Sequence, residues 1–279
     1  MLISFVIRTY NEASFIGRLM NALQDQEGVA GEREFVIVDS ESTDETVRIA
    51  QQWPVKLLSV RKQDFDYSRT LNLGIAASSG QLIVILSAHS IPSGTDWLSG
   101  MIENFADPRV AGVYCKQAAW PDANWRELRR INNMFGSESL IYDGTQRGTG
   151  IIFSNAASCI RRSVWNEHRF TLPAAEDREW AAWAVTHGYR IVYQAGVSVF
   201  HSHRESCRQT GQRAINLARA VDLEKGRNRT SLLTLCEAAA WIRRDLPDVM
   251  WLENPKPNRL KLAVECFARA FWFVHDFNR

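Results

Sequence analysis

A serine and a histidine directly follow the most apolar stretch of this 279-residue chain. Residues 82–86 read Leu-Ile-Val-Ile-Leu, and Ser87, Ala88 and His89 come next. A serine hydroxyl can hydrogen-bond a hydroxylated ligand, and a neutral imidazole can bind a borderline divalent metal ion. Pro92 prevents a simple continuation of the strand. The sequence therefore predicts an exposed turn in which a ligand or a metal ion can bind.

Acids and histidines at three further places have side chains suited to chemistry. Asp39 ends a predicted strand and can accept hydrogen bonds from a base or a ribose. Glu176 and Asp177 begin a predicted helix, and either carboxylate could accept a proton during a reaction. Acids are also common at helix starts, where they interact favourably with the helix dipole, and spacing alone favours this second role. His201 and His203 follow a predicted strand and share one face if the chain is extended there. Each histidine could bind a metal ion or be an ordinary surface or core residue.

The first 90 residues alternate between strand and helix patterns. Apolar runs predict strands at 2–7, 35–38, 55–60 and 82–86, and helical patterns lie at 15–23, 47–50 and 66–77. Such alternation predicts βαβ units and a parallel sheet. The last of these runs has no polar alternation, which indicates a strand covered by helices on both faces. Because ligands bind at the carboxyl ends of strands in such sheets, Asp39 and His89 are expected at one edge.

The remainder of the chain is mixed and then helical. Further strands are predicted at 110–115, 151–153, 157–160, 190–193 and 197–200, with helices at 97–105, 124–135 and 178–187. From residue 205 onward, helical patterns cover about 205–225, 230–246 and 258–277. The last helix has aromatic residues on more than one face, namely Phe271, Trp272 and Phe273. That pattern suits packing within the protein or on a second copy of the chain, and it also suits a membrane surface.

Composition restricts the class of protein. With 46% hydrophobic and 23% charged residues the chain is an ordinary globular one, and its net charge of +2 gives no field for binding nucleic acid. Five widely spaced cysteines without a Cys-x-x-Cys pair argue against a zinc cage or a disulfide framework and favour a reducing cytoplasm. The chain shows no pattern of a secretory leader or of a membrane-spanning run. Neither the dinucleotide-binding nor the P-loop glycine motif occurs.

Four motifs, taken in their order and spacing, resemble the family 2 glycosyltransferases of the GT-A fold. They are Val6-Ile-Arg-Thr-Tyr-Asn-Glu12, Val36-Ile-Val-Asp-Ser-Glu-Ser-Thr-Asp44, Leu86-Ser-Ala-His-Ser-Ile-Pro92 and Glu176-Asp177. The resemblance covers residues 1–205, and within it residues 65–72 and the His-Ser-His pair are similar to the rhamnosyltransferase-like subgroup. It implies an α/β protein of GT-A type, with a Rossmann-like, mostly parallel sheet flanked by helices. It also implies a nucleotide-binding half at 1–92 and an acceptor and catalytic half at 93–205, followed by a C-terminal helical appendage at 206–279.

The resemblance also implies roles for residues at the matching positions. Asp177 matches the catalytic aspartate of the family. In the family, an Asp-x-Asp turn binds the ribose and a divalent cation, and Ser87 and His89 occupy those two positions here. His201 and His203 stand where the family supplies a further metal ligand, and histidine ligands favour Mn²⁺ over Mg²⁺. Residues expected to contact the donor are Thr9, Glu12, Asp39, Arg69, Asn72, Ser87 and Asn155. If no cation binds, the side chains left to neutralise the donor diphosphate are Arg61, Arg69, Lys116 and Arg204.

The implied reaction is the inverting transfer of one sugar from a nucleotide-sugar donor to a glycan or lipid-linked acceptor, in bacterial surface polysaccharide synthesis. Processive members of the family carry Gln-x-x-Arg-Trp, whereas this chain has Gln209-Thr-Gly-Gln-Arg213 without the tryptophan, so a non-processive enzyme is expected. We expect a cytoplasmic protein whose C-terminal helices contact a second copy of the chain or the inner membrane face. Two other classes stay open: a nucleotidyltransferase that forms sugar nucleotides, and a non-catalytic module that binds sugar nucleotides or glycans.

Overall fold

The computed structural model describes residues 1–123, 125–145, 151–203, 207–224, 226, 230, 234–240, 242 and 266–274. The chain divides into two compact units, Met1–His203 and Arg204–Arg279.

The first half of unit 1 alternates strand and helix, as the sequence predicts. Its elements are β1 (Leu2–Thr9), α1 (Ile16–Gln24), β2 (Glu32–Asp39), α2 (Thr46–Ala50), β3 (Val55–Ser59), α3 (Tyr67–Ala76) and β4 (Leu82–Ser87). The strands β3, β2, β1 and β4 lie side by side in that order, and every pair among them is parallel. The βαβ prediction is therefore confirmed for this half.

The second half of unit 1 extends the same sheet with strands of both directions. Its elements are β5 (Ile91–Pro92), α4 (Trp97–Ile102), β6 (Val110–Ala118), α5 (Trp125–Met134), β7 (Leu140–Tyr142), β8 (Ala157–Arg161), α6 (Arg162–Glu167), α7 (Glu176–Thr186) and β9 (Arg190–Phe200). Beyond β4 the described sheet continues as β8, β6, β9 and β5, and β7 also pairs with β9. The strands β6 and β9 run parallel to β4, whereas β5, β7 and β8 run against them. The described sheet is mixed, and most of its strands share one direction.

Two cores explain why β4 is apolar throughout. Leu82, Val84 and Leu86 belong to the core on one face of the sheet, and Ile83 and Ile85 belong to the core on the other face. Successive side chains of a strand point to opposite faces, so a strand with a core on each side needs an apolar residue at every position. Strand β4 is therefore fixed from both sides, which gives its carboxyl end a rigid support.

Three local predictions are wrong. Residues 151–153 form no strand, and 190–200 form one strand rather than two. That strand is continuous because a shift in its pairing with β6, from Gln194 to Ser198, absorbs the residues that break the apolar pattern. The turn after β4 is not exposed, since Ala88 and Ser90 are 1% and 0% exposed. It is covered because β5 pairs with the end of β9 directly after the turn.

Unit 2 is helical in the residues described. It contains α8 (Cys207–Glu224) and helical segments at 234–240 and 266–274. Their shared core consists of Ile215, Ala238, Ala270 and Phe273. Phe267 and Phe271 remain 51% and 60% exposed. The predicted helical residues 258–265 and 275–277 lie outside the described part of the chain. Among the described residues, we find no helix with the length and apolar content needed to cross a membrane.

Candidate functional site

The carboxyl ends of β1, β2 and β4 bring three of the predicted residues together. Thr9 lies opposite Asp39 in the parallel pairing of β1 with β2, and Arg8 lies opposite Ser87 in the pairing of β1 with β4. These positions follow from the parallel register, because strands of equal direction end at the same edge. Thr9, Asp39 and Ser87 are therefore neighbours at one edge of the sheet, the edge at which the sequence predicts Asp39.

The loops that follow β1 and β2 are tied to each other by hydrogen bonds. Asn11 has a φ of 53°, in the left-handed region, and its backbone N–H donates to Ser42 Oγ at 2.8 Å. The backbone N–H of Thr43 donates to Asn11 Oδ1 at 2.7 Å. Asp39 is buried and accepts from the backbone N–H and the hydroxyl of Ser42 at 2.9 and 2.5 Å. These bonds fix the Asp39 carboxylate at the edge of the sheet.

Three histidines meet at the same edge. The turn after β4 carries His89, and β5 then pairs with β9, whose end leads into His201 and His203. The rings of His89 and His201 are stacked with centroids 4.9 Å apart, and His203 lies edge-on to both at 5.1 and 4.8 Å. One ring nitrogen from each histidine lies within 4.8 Å of the others. We call this group the histidine cluster.

The chemistry of the histidine cluster fits a divalent cation. His89 Nδ1 is 2.6 Å from Glu12 Oε1, and His201 Nδ1 is 2.8 Å from Gln117 Oε1. The Nε2 atom of His89 is buried and has no hydrogen-bond partner in the described part of the chain. A buried ring nitrogen without a partner costs free energy, which a bound cation would recover. Imidazole nitrogens suit first-row transition-metal ions better than Mg²⁺.

A pair of acids stands at the start of α7. Ala175, immediately before this helix, has a φ of 60°, a conformation that costs energy for a residue with a side chain. Glu176 is buried and accepts from Asn155 Nδ2 at 3.2 Å. Asp177 is half-buried and accepts from the backbone N–H of Asn155 at 3.2 Å and of Arg178 at 2.8 Å. Asn155 therefore holds both carboxyl groups. The strained backbone at Ala175 is a further sign of a functional site, because such conformations cluster at functional sites.

Burial changes the proton affinity of both acids. Burial, followed by the negative charge of Asp177, raises the pKa of Glu176 from 4.5 to about 7. Burial also raises the pKa of Asp177, although the N–H groups of Asn155 and Arg178 and the charge of Arg8 oppose the rise. A carboxylate with a raised pKa is a stronger base than one in water. The two carboxyl groups are therefore both harder to ionise than a carboxyl group in water.

Arg8 is a functional candidate that the sequence reasoning passed over. Its guanidinium lies over the ring of Tyr67 at 4.7 Å, and its buried Nε has no hydrogen-bond partner within the described residues. Its positive charge opposes the rise in the pKa values of Glu176 and Asp177, which links it electrostatically to the acid pair. The sequence feature that could have marked Arg8 is its position in the first motif, one residue before Thr9 at the end of β1.

The other predicted residues have different surroundings. Asn72 donates to the carbonyl oxygen of Phe170 at 2.8 Å and accepts from Trp165 Nε1 at 3.0 Å, so its amide joins α3 to the segment around α6. Arg69 is exposed in the first turn of α3, and Asn155 is buried beside the acid pair. Arg204 lies outside the described residues.

Comparisons with known proteins agree with this architecture. Residues 4–168 match the model of glycosyl transferase family 2. The O-antigen chain rhamnosyltransferase RfbN of Salmonella typhimurium is 28% identical over 88% of this chain and 76% of its own length. The O-antigen chain rhamnosyltransferase WbaN of Salmonella anatum is 31% identical over 75% of this chain and 69% of its own length.

Solved structures show the same fold at lower identity. A mannosyltransferase from Pyrobaculum calidifontis, PcManGT, solved with GDP-Man and Mn²⁺, is 19% identical with a TM-score of 0.66, over 98% of this chain and 87% of its own. TarS residues 1–349 of S. aureus, solved with UDP-GlcNAc, are 17% identical with a TM-score of 0.60, over 98% and 90%. The predicted GT-A fold and the rhamnosyltransferase-like resemblance are confirmed. The chain belongs to glycosyltransferase family 2.

Proposed function

We propose that this glycosyltransferase is inverting and non-processive, and that it moves one sugar from a nucleotide-sugar donor to a glycan or lipid-linked acceptor during O-antigen or related surface polysaccharide synthesis. The observation that carries the proposal is the acid pair Glu176 and Asp177, with Asp177 held by two backbone N–H groups. The O-antigen rhamnosyltransferases among its relatives support the substrate class. We place the reaction in the cytoplasm, the compartment that the cysteine content favours.

Asp177 is the catalytic base in this proposal. An acceptor hydroxyl is a weak nucleophile, and its proton passes to an Asp177 carboxylate oxygen as the hydroxyl oxygen bonds to the anomeric carbon. The bond from the anomeric carbon to the diphosphate oxygen breaks at the same time, and the nucleoside diphosphate leaves with the electron pair. This single displacement inverts the configuration at the anomeric carbon. The N–H groups of Asn155 and Arg178 orient the carboxylate for this step.

A divalent cation would be held by His89, His201 and His203. When bound, it supplies positive charge that neutralises the donor diphosphate. We propose Mn²⁺ rather than Mg²⁺, since three imidazoles are poor ligands for a hard, oxygen-preferring ion. PcManGT, which shares the fold, was solved with Mn²⁺. Without a cation, neutralisation would fall to the cationic side chains Arg61, Arg69, Lys116 and Arg204.

The edge of the sheet is the proposed donor site. Thr9, Asp39 and Ser87 end neighbouring strands, and their oxygens suit a base and a ribose. Glu12, Arg69, Asn72 and Asn155 complete the donor contacts proposed from the family resemblance. The half at 1–92 would bind the nucleotide, and the half at 93–205 would bind the acceptor.

The C-terminal helices are the proposed contact to a second copy of the chain or to the inner membrane face. Phe267 and Phe271 are exposed on the helical segment at 266–274. An apolar stripe on a surface helix serves either partner. Sedimentation of the protein alone and with anionic vesicles distinguishes the two.

One experiment tests the donor, the cation and the catalysis together. Thermal shifts are measured with a panel of nucleoside diphosphates, each with and without Mn²⁺, and the binding base is then used in donor-hydrolysis and transfer assays. A ligand at 100 times its dissociation constant stabilises the folded state by about 2.7 kcal/mol. NMR of the product gives the configuration of the new glycosidic bond. Binding without hydrolysis or transfer would indicate a non-catalytic module, and a retained configuration would refute inversion.

A further inference from the structure

Two rings of the histidine cluster are each held by an acceptor from a different element. Glu12, in the loop between β1 and α1, approaches His89 Nδ1 at 2.6 Å. Gln117, on β6, approaches His201 Nδ1 at 2.8 Å. The partners are 77 and 84 residues apart in sequence, so tertiary packing alone creates both contacts. The two contacts engage the same ring atom of each histidine.

The identity of the acceptor fixes the position of the ring proton. A carboxylate oxygen and an amide oxygen can only accept hydrogen bonds. Each contact therefore requires a proton on Nδ1, which places the lone pair of the neutral ring on Nε2. For His89, that Nε2 is the buried atom without a hydrogen-bond partner in the described chain. Both acceptors thus select the tautomer in which Nε2 can bind a metal ion.

Both acceptors are themselves held in place. The backbone N–H of Glu12 donates to Thr46 Oγ1 at 2.7 Å, and its carbonyl oxygen accepts from the N–H groups of Phe15 and Ile16 at 2.9 Å. Gln117 is 3% exposed and uses its amide N–H to donate to Ser154 Oγ at 2.9 Å. The backbone of Glu12 and the side-chain amide of Gln117 are therefore both fixed, and a fixed acceptor holds an imidazole ring more firmly than a mobile one.

We propose that Glu12 and Gln117 are positioning residues, which hold His89 and His201 in the tautomer with Nδ1 protonated and with Nε2 as the ligand atom for the cation. Glu12 thereby has a second role beside the donor contact proposed for it, and Gln117, which the sequence did not single out, has one role. The inference rests on the proposed cation site. The contact from Glu12 is the stronger of the two, because a hydrogen bond to a charged carboxylate is stronger than one to a neutral amide oxygen.

The first test needs no metal ion. Long-range proton–nitrogen NMR correlations of the imidazole rings distinguish protonated Nδ1 from protonated Nε2, and substitution of each histidine assigns its signals. We expect the Nδ1–H form for His89 and His201 in the parent at pH 8. Glu12→Ala should remove that preference at His89 alone, and Gln117→Ala should remove it at His201 alone. The Nε2–H form in the parent would overturn the inference.

The second test measures cation affinity rather than activity. Mn²⁺ is titrated into the full chain and followed by calorimetry and electron paramagnetic resonance. Glu12→Ala should weaken binding by about 10- to 100-fold, the usual cost of losing a residue that holds a metal ligand. Gln117→Glu keeps an acceptor oxygen and should bind Mn²⁺ at least as well as the parent, whereas Gln117→Ala should bind more weakly. If the role of Gln117 were purely structural, Gln117→Glu and Gln117→Ala should both bind Mn²⁺ more weakly than the parent.

Controls separate this inference from the cation site itself. Glu45 is exposed and pairs with Arg48, so Glu45→Gln makes the same change of charge away from the histidine cluster and should bind Mn²⁺ like the parent. Circular dichroism checks that each variant folds, and Glu12→Leu, which also lacks an acceptor oxygen, replaces Glu12→Ala if the latter does not fold. A parent that binds no Mn²⁺, or binds it equally well after His89→Ala, overturns the cation site together with this inference. If His89→Ala loses Mn²⁺ binding but Glu12→Ala binds Mn²⁺ like the parent, this inference alone is overturned and the cation site stands.

Discussion

Replacing Glu176 by glutamine should make the protein more stable at alkaline pH. Glu176 is 3% exposed, and burial with the neighbouring charge of Asp177 raises its pKa from 4.5 to about 7. A glutamine keeps the side-chain oxygen that accepts from Asn155 Nδ2 but carries no titratable proton. The variant therefore removes the cost of ionising a buried carboxyl without changing the shape of the site.

The sign and the size of the change in unfolding free energy follow from the shift in the pKa of Glu176. Because the pKa is higher in the folded protein, the protonated Glu176 contributes stability that is fully present below about pH 4.5 and is lost as the pH rises through about 7. One pKa unit corresponds to about 1.4 kcal/mol, so the shift sets a ceiling of about 3 kcal/mol. Readjustment of Asp177 and Arg8 lowers the expected gain at pH 8.5 to about 1 to 3 kcal/mol. Near pH 4.5 the variant and the parent should be equally stable.

Urea unfolding of both proteins from pH 4.5 to 8.5 measures this difference. Subtracting the parent from the variant at each pH cancels the titration of groups common to both. The control is Glu45→Gln, whose carboxylate is exposed in a surface pair with Arg48, and its difference should stay near zero throughout. A difference for Glu176→Gln that is independent of pH would refute a raised pKa at this position, and a loss of stability at pH 8.5 would refute the sign.

Three further predictions concern the acid pair and the packing of α3 on β1. Asp177→Asn should lower single-turnover transfer by about 10²- to 10⁴-fold, because the proton acceptor is lost, while calorimetry shows donor binding within a few-fold of the parent. Arg8→Gln should raise the pKa of Asp177 further, since its charge opposes the rise, so the acidic limb of the kcat/KM profile should move to higher pH. Gly74→Ala should destabilise the fold in urea by about 1 to 3 kcal/mol, because its Cβ would lie 2.5 Å from Val6 Cγ1. Gly136→Ala should change stability little, because no atom of the described residues lies within 4 Å of the added Cβ.

Each of these predictions has an outcome that contradicts it. Undiminished transfer by Asp177→Asn would remove this residue from the role of base. For Arg8, the matched control is Arg48→Gln on the exposed face of α2, and equal pH profiles for both arginine variants would show that Arg8 does not act on the acid pair. Equal stabilities of Gly74→Ala and Gly136→Ala would mean that α3 can move away from β1 at no cost.

Much of the first half of unit 1 is encoded locally. The unbroken apolar run of β4 predicts burial on both faces, and its odd and even residues do enter separate cores. The stripe Ile16, Leu19, Met20 and Leu23 predicts the buried face of α1 in the same way. Parallel strands then place Asp39 and His89 at one edge, because equal direction brings their carboxyl ends together.

Long-range pairing decided the rest of the sheet. The antiparallel insertion of β8 between β4 and β6, and the pairing of β5 with the end of β9, have no local signature. The β5–β9 pairing buries the turn that the sequence predicted to be exposed. It also carries the turn with His89 to His201 and His203, a meeting that the family resemblance implied but that no local pattern encodes.

The sequence by itself determined which side chains could do chemistry, because residue type fixes the available donors, acceptors and charges. It could not determine which of them meet, since Glu12 with His89, Gln117 with His201 and Asn155 with Glu176 are contacts between distant segments. Nor could it give the raised pKa values of the acid pair, which come from burial and from neighbouring charges. Proton affinity and ring tautomer depend on the surroundings of a group, and only the tertiary structure supplies those surroundings.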